Sequence, residues 1–460
     1  MQNISKLYCK GYRGFNTDQE LRLATPNGSF GSGLTVLIGP NGGGKSTLIE
    51  YFRRLSNTRN VSFTEGKRNK VAGDKVNIRV EFDGHVGSLK TVQTGGAKTN
   101  WHCSGGENVA PSISFLPSRR VFTPYFSEGK WTRDNYFKNS SNFSNRSEPI
   151  NNFSHRLFNA LEKYEEFSEV FKRIYGKRLE WTIDQNDTEQ YYVKITKPGN
   201  VFHNSDGMGE GLVSLLFVAD AIFESTEDEI LVIDEPELSL HPQLQRRLIV
   251  ELCELAKDRQ ILIATHSPEM ISIDAISNGM EVSRVVDSAD GSVIHRLKDD
   301  CRETFSSLEK DLFNPHAFAY ESRACLFAED SLVITEGQED VVFLNKMIND
   351  LSLDYLIPFW GFGAGGASKI QKIAKILDSL GFRNISAVFD GDKPEDLSEF
   401  RNLFPKYTCW SIPADDIRDK DDGNGNVVKE GVFDLKKRIK PKFVDQCKVL
   451  LAQLHKQVND

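Results

Sequence analysis

The segment Leu34–Leu48, LTVLIGPNGGGKSTL, constrains the fold more than any other stretch of the chain. A short β-branched apolar run enters Gly39-x4-Gly44-Lys45-Ser46 and leaves into LIEYFRRL, which has helical periodicity. Strand, glycine loop and helix in that order build a phosphate-binding loop. Glycines let backbone N–H groups turn inward around phosphate oxygens, and the helix N-terminus adds partial positive charge. Gly39, Asn41, Gly42, Gly44, Lys45, Ser46 and Thr47 are the expected nucleotide contacts. Lys45 brings a full charge to the β and γ oxygens, and Ser46 a hydroxyl to Mg²⁺. A glycine turn with no ligand is the bland alternative, and the flanking strand and helix weigh against it.

At 460 residues the chain has room for two or three domains. Its net charge of −8 means that attraction to nucleic acid must come from local basic patches, not the global field. Candidates are Arg119-Arg120, Lys172-Arg173 with Lys177-Arg178, Arg246-Arg247 and the run from Lys436 to Lys442, each of which, taken alone, is more often a solvated face. The seven cysteines form no CxxC pair and no zinc-like spacing, which suits reduced thiols in a cytosol. No apolar run approaches the roughly 20 residues needed to span a bilayer, and MQNISKLYCK lacks the apolar core of a signal peptide. A cytoplasmic protein without a membrane partner is expected.

Residues 4–38 read as strands, with alternation favouring an antiparallel entry to the sheet. Arg13 falls early, where an arginine can lie beside a nucleotide or simply on the surface. VNIRVEFDG reads as a strand, while GGAKTNWHCSGGEN and NSSNFSNRSEPINN read as polar loops. SISFLPSRRVF looks like a buried strand ending in two arginines, and HRLFNALEKYEEFSEVFKRIYG like a helical insertion too short for a coiled-coil arm.

At Ser205-x-Gly207-x-Gly209 a small-residue turn opens an apolar helix, a second place where an anion could meet a helix N-terminus. An ordinary capped helix is the alternative, and position along the chain favours the anion site. ILVIDEPELSLHP then delivers Asp234 and Glu235 to the carboxyl edge of a parallel sheet. Asp234 would hold the Mg²⁺ shell, and Glu235 would orient and deprotonate the attacking water. ILIATHSP ends a further strand at His266, where an imidazole can sense the γ-phosphate.

The phosphate loop at 39–46, the turn at Ser205, Gly207 and Gly209, the acid pair at 230–235 and the histidine at 266 together resemble an ATP-binding-cassette (ABC) ATPase. That resemblance implies pairs of protomers, with the signature turn of one closing on the ATP of the other, and so a homodimer or higher oligomer. The signature departs from Leu-Ser-Gly-Gly-Gln, and the glutamine loop of such ATPases has no obvious counterpart. The missing coiled-coil arm argues against the long-armed chromosome-structure ATPases.

A second α/β unit follows residues 299–330, which read as helices joined at Asn314-Pro315. SLVITEGQED ends a short apolar strand at Glu336, and ISAVFDGDKPE ends another at Asp390-x-Asp392, with a strand-like YLIPFW, a GFGAGGAS loop and an amphipathic helix between them. One Asp-x-Asp alone is weak. Carboxylates gathered at two strand ends repel one another unless cations share them, and hard oxygen ligands suit Mg²⁺ or Mn²⁺. Such ions could activate water for phosphodiester cleavage. The chain closes in a basic helix, PKFVDQCKVLLAQLHKQV, whose apolar spacing favours docking.

Glu336-Gly followed by Asp390-Gly-Asp392 resembles a Toprim domain, and an ABC-type ATPase followed by Toprim resembles the overcoming-lysogenization-defect (OLD) nucleases. The resemblance implies Glu336, Asp340, Asp390 and Asp392 as metal ligands, with one further acid among Asp415, Asp416 and Asp419. It leaves the family's catalytic lysine unassigned; Ser368 and Lys369 stand just after the GFGAGG loop with no role assigned. It implies a fold of α/β class: an ABC-type ATPase domain over 1–300 with a mixed sheet and an insertion at about 105–204, a helical linker over 301–330, and a Rossmann-like Toprim domain over 331–460. The expected function is an ATP-hydrolysing, divalent-metal-dependent DNA endonuclease in antiphage defence, with ATP and Mg²⁺ or Mn²⁺ as cofactors and DNA as partner. For members encoded with retrons the family also implies a reverse transcriptase and noncoding RNA or DNA. The alternative is an ATP-driven DNA clamp or sensor whose Toprim site is inert; a topoisomerase would need a nucleophilic tyrosine and further domains.

Overall fold

A computed structural model describes residues 3–58, 61–106, 109–127, 129–133, 135, 153–197, 199, 201–311, 313–327 and 330–459. The chain divides into two compact units, Met1–Arg296 and Leu297–Asp460.

In the first unit the apolar run Leu34–Ile38 is buried at every position, because its strand lies inside a six-stranded sheet with neighbours on both edges. On one side it pairs in parallel with Gln260–Ala264, then Ile230–Asp234, then Ile113–Leu116. On the other it pairs in parallel with Glu281–Ser288, which turns back into the antiparallel edge strand Gly291–Arg296. The sheet is therefore mixed, as expected, and its parallel strands deliver the phosphate loop, the acid pair and His266 to one edge. A five-stranded antiparallel sheet, ordered Gln19–Arg22, Ile4–Lys10, Asn77–Phe82, His85–Thr91 and Thr99–Cys103, forms the second layer.

The helix Lys45–Leu55 supplies side chains to the core shared by both sheets. Leu48, Ile49, Tyr51, Phe52 and Leu55 are each at most 1% exposed. Burial of this kind is worth about 1.5–3 kcal/mol per large apolar side chain, so the loop preceding the helix rests on a fixed base.

Two expectations change in detail here. The stretch read as a polar loop, GGAKTNWHCSGGEN, contains the strand Thr99–Cys103, because Trp101 and Cys103 alternate inward against the neighbouring strand. The insertion's helical stretch forms two helices, Ser154–Glu162 and Tyr164–Tyr175, broken at Lys163 with φ −116° and ψ 42°. NSSNFSNRSEPINN falls outside the described residues. A three-stranded antiparallel sheet of Glu180–Gln185, Tyr191–Lys197 and Val201–Asn204 follows the helices.

In the second unit Ser331–Thr335, Asn384–Phe389 and Thr408–Ser411 form a three-stranded parallel sheet. YLIPFW is not a strand; it touches the sheet through one bridge, Phe359 to Val333, since Pro358 cannot donate a ladder bond. The helical segments Arg302–Glu309 and Tyr320–Cys325 belong to this unit. The C-terminal helix Val444–Asn459 docks as expected, burying Cys447, Leu450, Leu451 and Leu454 in the unit's core.

Candidate functional site

Two groups of polar side chains stand at the sheet edges, one in each unit. In the first, Gly44 caps the helix Lys45–Leu55 with φ 115°, a conformation that L side chains rarely adopt. A Cβ there would also lie 2.8 Å from the Ser292 hydroxyl oxygen of the neighbouring hairpin. Gly39 and Gly42 likewise have positive φ, and Asn41 is exposed beside them. Lys45 is 4% exposed and folds back to donate to the carbonyls of Gly39 (2.7 Å) and Pro40 (2.9 Å). Burial lowers its pKa to about 8, opposed by the carboxylates of Glu235, Asp234 and Glu237. Thr47 is buried in the first turn of the helix.

Ser46 and Asp234 line one small cleft together with Ser118 and Arg119. Ser118 Oγ donates to Asp234 Oδ2 at 3.0 Å. Glu235 carries φ 51°, a left-handed backbone unusual for a non-glycine residue and of the kind found at strained functional positions. His266 is exposed just past its strand; partial burial of the ring and then the Lys45 ammonium lower its pKa, favouring neutral imidazole. Its backbone N–H donates to Glu237 Oε1 at 2.7 Å, and burial raises the pKa of that carboxyl.

The other nucleotide candidates lie further along the chain. Ser205 is 2% exposed in a single 3₁₀ turn, where its hydroxyl donates to Pro124 O at 2.6 Å and accepts from Val193 N at 3.2 Å. The hydroxyl is thus held inside the fold, while Gly207 and Gly209 are exposed just before the helix Glu210–Glu224. Arg13 pairs with the buried Glu50 of the phosphate-loop helix at 2.8 Å.

In the second unit two strand ends are tied directly, for the Asp390 N–H donates to Glu336 Oε1 at 2.8 Å. The glycine-rich loop holds the same turn from behind, with Gly365 and Gly366 N–H groups donating to Glu336 O at 2.7 and 2.8 Å. Gly391 separates the two aspartates where the chain passes close to its neighbour: a Cβ there would lie 2.2 Å from Ala414 O. Asp340 accepts the Gly337 N–H at 2.8 Å. Burial, then Glu336 and Asp416, raises the Asp340 pKa to about 7; burial, then Asp340, Glu336 and Asp416, raises that of Asp390 to about 8.

Of Asp415, Asp416 and Asp419, one stands beside the other acids. Asp415 is exposed, and Asp419 is buried under the Gly431 N–H (2.8 Å) and Lys440 (2.6 Å). Asp416, on the short strand Asp416–Arg418, shares Lys429 with the other two aspartates. The ammonium lies 3.7 Å from Asp390, 2.9 Å from Asp392 and 3.3 Å from Asp416. Lys420 contacts Asp416 at 3.6 Å and also reaches Glu339, which Arg418 holds at 2.6 Å. Lys369 is occupied elsewhere, paired with Asp311.

The donor set is all carboxylate, and its acids share a cation, which is the chemistry that suits a hard divalent ion. Among the described residues, however, no group of three His, Cys, Asp or Glu side chains stands close enough to hold a metal ion. It is an ammonium that these carboxylates surround.

Many of the cations proposed as nucleic-acid patches already have partners. Arg173 pairs with Glu251 at 2.8 Å, Arg246 with Glu269 at 2.7 Å, and Lys442 with Glu430 at 2.6 Å. Arg120 is turned into the first unit rather than outward. Sequence reading missed Ser118 and Lys429, took Arg120 for half of a basic patch, and did not separate Asp416 from its neighbours. Among the described residues no helix is long and apolar enough to cross a membrane.

Residues 105–272 match the family model AAA_21, whose description reads AAA domain and also names the AbiEii toxin of a type IV TA system. The match includes the turn at 205–209, Asp234, Glu235 and His266. Septu protein PtuA of Bacillus thuringiensis is 24% identical over 324 residues, 60% of this chain and 74% of that protein. An OLD nuclease of Thermus scotoductus is 23% identical over 390 residues, 70% of this chain and 71% of that protein. A solved head domain of an SMC protein from Thermotoga maritima aligns with 64% of this chain and 99% of its own, at 16% identity and a TM-score of 0.39. The chain carries an AAA-type ATPase domain and resembles the OLD nucleases along most of its length.

Proposed function

We propose that this chain is an ATP-hydrolysing, divalent-metal-dependent DNA endonuclease of the OLD type, acting in antiphage defence. The observation that carries the reading is the tie between Asp390 and Glu336 at adjacent strand ends, with Asp340, Asp392 and Asp416 around it. In the first unit Lys45 and the phosphate loop would hold ATP, with Ser46 and Asp234 as ligands of its Mg²⁺. Glu235 would orient and deprotonate the attacking water, and neutral His266 would face the γ-phosphate. Gly207 and Gly209 would present backbone to the nucleotide of a second copy, so the working form is a dimer or higher oligomer.

In the second unit Glu336, Asp340, Asp390, Asp392 and Asp416 would hold Mg²⁺ or Mn²⁺, which when bound supplies activated water and charge neutralisation. Lys429 would lie against the scissile phosphate, the role that the resemblance leaves unassigned. The Toprim-like unit occupies 331–460 in this reading, preceded by a helical linker. A reverse transcriptase and noncoding RNA or DNA would be partners of a retron-encoded copy.

One observation favours the second reading, a DNA clamp or sensor with an inert C-terminal site: the carboxylates close on Lys429 and not on one another. Plasmid incubated with Mg²⁺ or Mn²⁺ separates the two. The nuclease reading expects nicked and linear product from wild type and none from Asp390→Ala. Cutting that survives Asp390→Ala, or no cutting with ATP and either ion, supports the clamp.

A further inference from the structure

Arg120 joins three elements that sequence reading left separate. Its guanidinium donates to Pro117 O (2.9 Å), to Ser214 Oγ (2.9 Å), and to the backbone carbonyls of Asp234 (3.0 Å) and Glu235 (3.1 Å). Pro117 follows the edge strand Ile113–Leu116, Ser214 is 5% exposed in the second turn of the helix Glu210–Glu224, and the two carbonyls close the strand Ile230–Asp234. The planar fork of arginine can bridge fixed acceptors at several angles, which a lysine ammonium on a flexible stem does less well.

Glu235 is where such a brace matters. Its φ of 51° costs free energy that surrounding contacts must offset, and Arg120 holds its carbonyl on one side while the Glu235 N–H donates to Ala264 O at 2.8 Å on the other. Helices move as rigid bodies, so a shift of the exposed turn at Gly207–Gly209 carries Ser214 with it.

We propose that Arg120 is a positioning residue that couples the Glu210–Glu224 helix to the Glu235 backbone, so that docking of a second copy on the Gly207–Gly209 turn sets the aim of the hydrolytic carboxylate. This rests on the reading of the first unit as a paired ATP site. Ser118, two residues earlier, bonds Asp234 directly, so one short turn after the edge strand fixes both acids.

The test uses the full chain and two readouts, binding of a fluorescent ATP analogue and steady-state phosphate release. Ser214→Ala removes one acceptor from Arg120 and places a good helix former in the helix, so it leaves folding intact. Binding should stay within about twofold of wild type while kcat falls about tenfold, the rate equivalent of one lost charged hydrogen bond. Ser214→Thr should restore most of the rate, and Arg120→Lys should lower kcat at least as far as Ser214→Ala. Wild-type kcat in Ser214→Ala and Arg120→Lys, or loss of binding in step with turnover, overturns the coupling. Wild-type protein that binds no ATP would remove the parent reading, and this one with it.

Discussion

The Asp390 N–H donates to the Glu336 carboxylate at 2.8 Å, which joins the ends of two neighbouring parallel strands through an acid that its own surroundings disfavour. Burial raises the pKa of Glu336, with Asp392 and Asp396 adding to the shift and the Asp390 N–H and Lys393 opposing it. A glutamine can still accept the N–H and brings no charge. Glu336→Gln should therefore raise the stability of the protein in urea unfolding at pH 8 while abolishing plasmid cutting. A variant that loses stability would mean that the carboxylate is satisfied as it stands.

Lys429 is the cation that the aspartates share. Replacing it by methionine removes the cation that all three contact, leaving Lys420 beside Asp416 alone. Lys429→Met should bind Mn²⁺ about tenfold more tightly, since removing one like charge from beside the ion is worth about 1.4 kcal/mol, and should cut poorly. Calorimetric titration of the nucleotide-free protein reads the first effect, and unchanged or weaker affinity would place Lys429 outside the cation site.

Lys45→Ala should remove ATP turnover, lowering it at least a hundredfold, because the ammonium held by the loop carbonyls is lost. Mn²⁺ binding at the second unit's acids should be unaffected. Phosphate release is the measurement, and turnover at the wild-type rate would refute the phosphate-loop assignment.

Asp220 gives a pH dependence of stability. Burial raises its pKa from 3.8 to about 6, against the pull of Arg156, which lies 3.5 Å away and also pairs with Glu224. The folded state therefore holds this proton more tightly than the unfolded chain does. Its contribution is full below 3.8 and is lost as pH rises through about 6. The unfolding free energy of wild type minus that of Asp220→Asn should fall by up to about 3 kcal/mol between pH 4 and pH 7. A flat or rising difference would contradict the assignment.

What could be read from the chain follows from how local each signal is. Leu34–Ile38, Ile230–Asp234 and Asn384–Phe389 are apolar runs that end in a glycine loop or an acid, and both features lie within a few residues, so strand and candidate site could be read together. Asp416 was not separable from Asp415 and Asp419, because its place beside Asp390 and Asp392 comes from pairing with the distant strand Gly431–Phe433 and from the shared Lys429. Lys429 comes from a short hairpin beyond a polar turn and had no local mark. Arg120 read as half of a basic patch, since nothing near it in sequence reveals Ser214 or the Glu235 carbonyl. Trp101 and Cys103 were hidden by the polar residues between and around them.

The most direct test of the cation site is Mn²⁺ titration into the nucleotide-free full chain, comparing wild type with the double variant Asp390→Ala/Asp416→Ala. Wild type should show a saturable binding event that the double variant lacks, with Lys45→Ala matching wild type. Identical isotherms for wild type and the double variant would contradict the account.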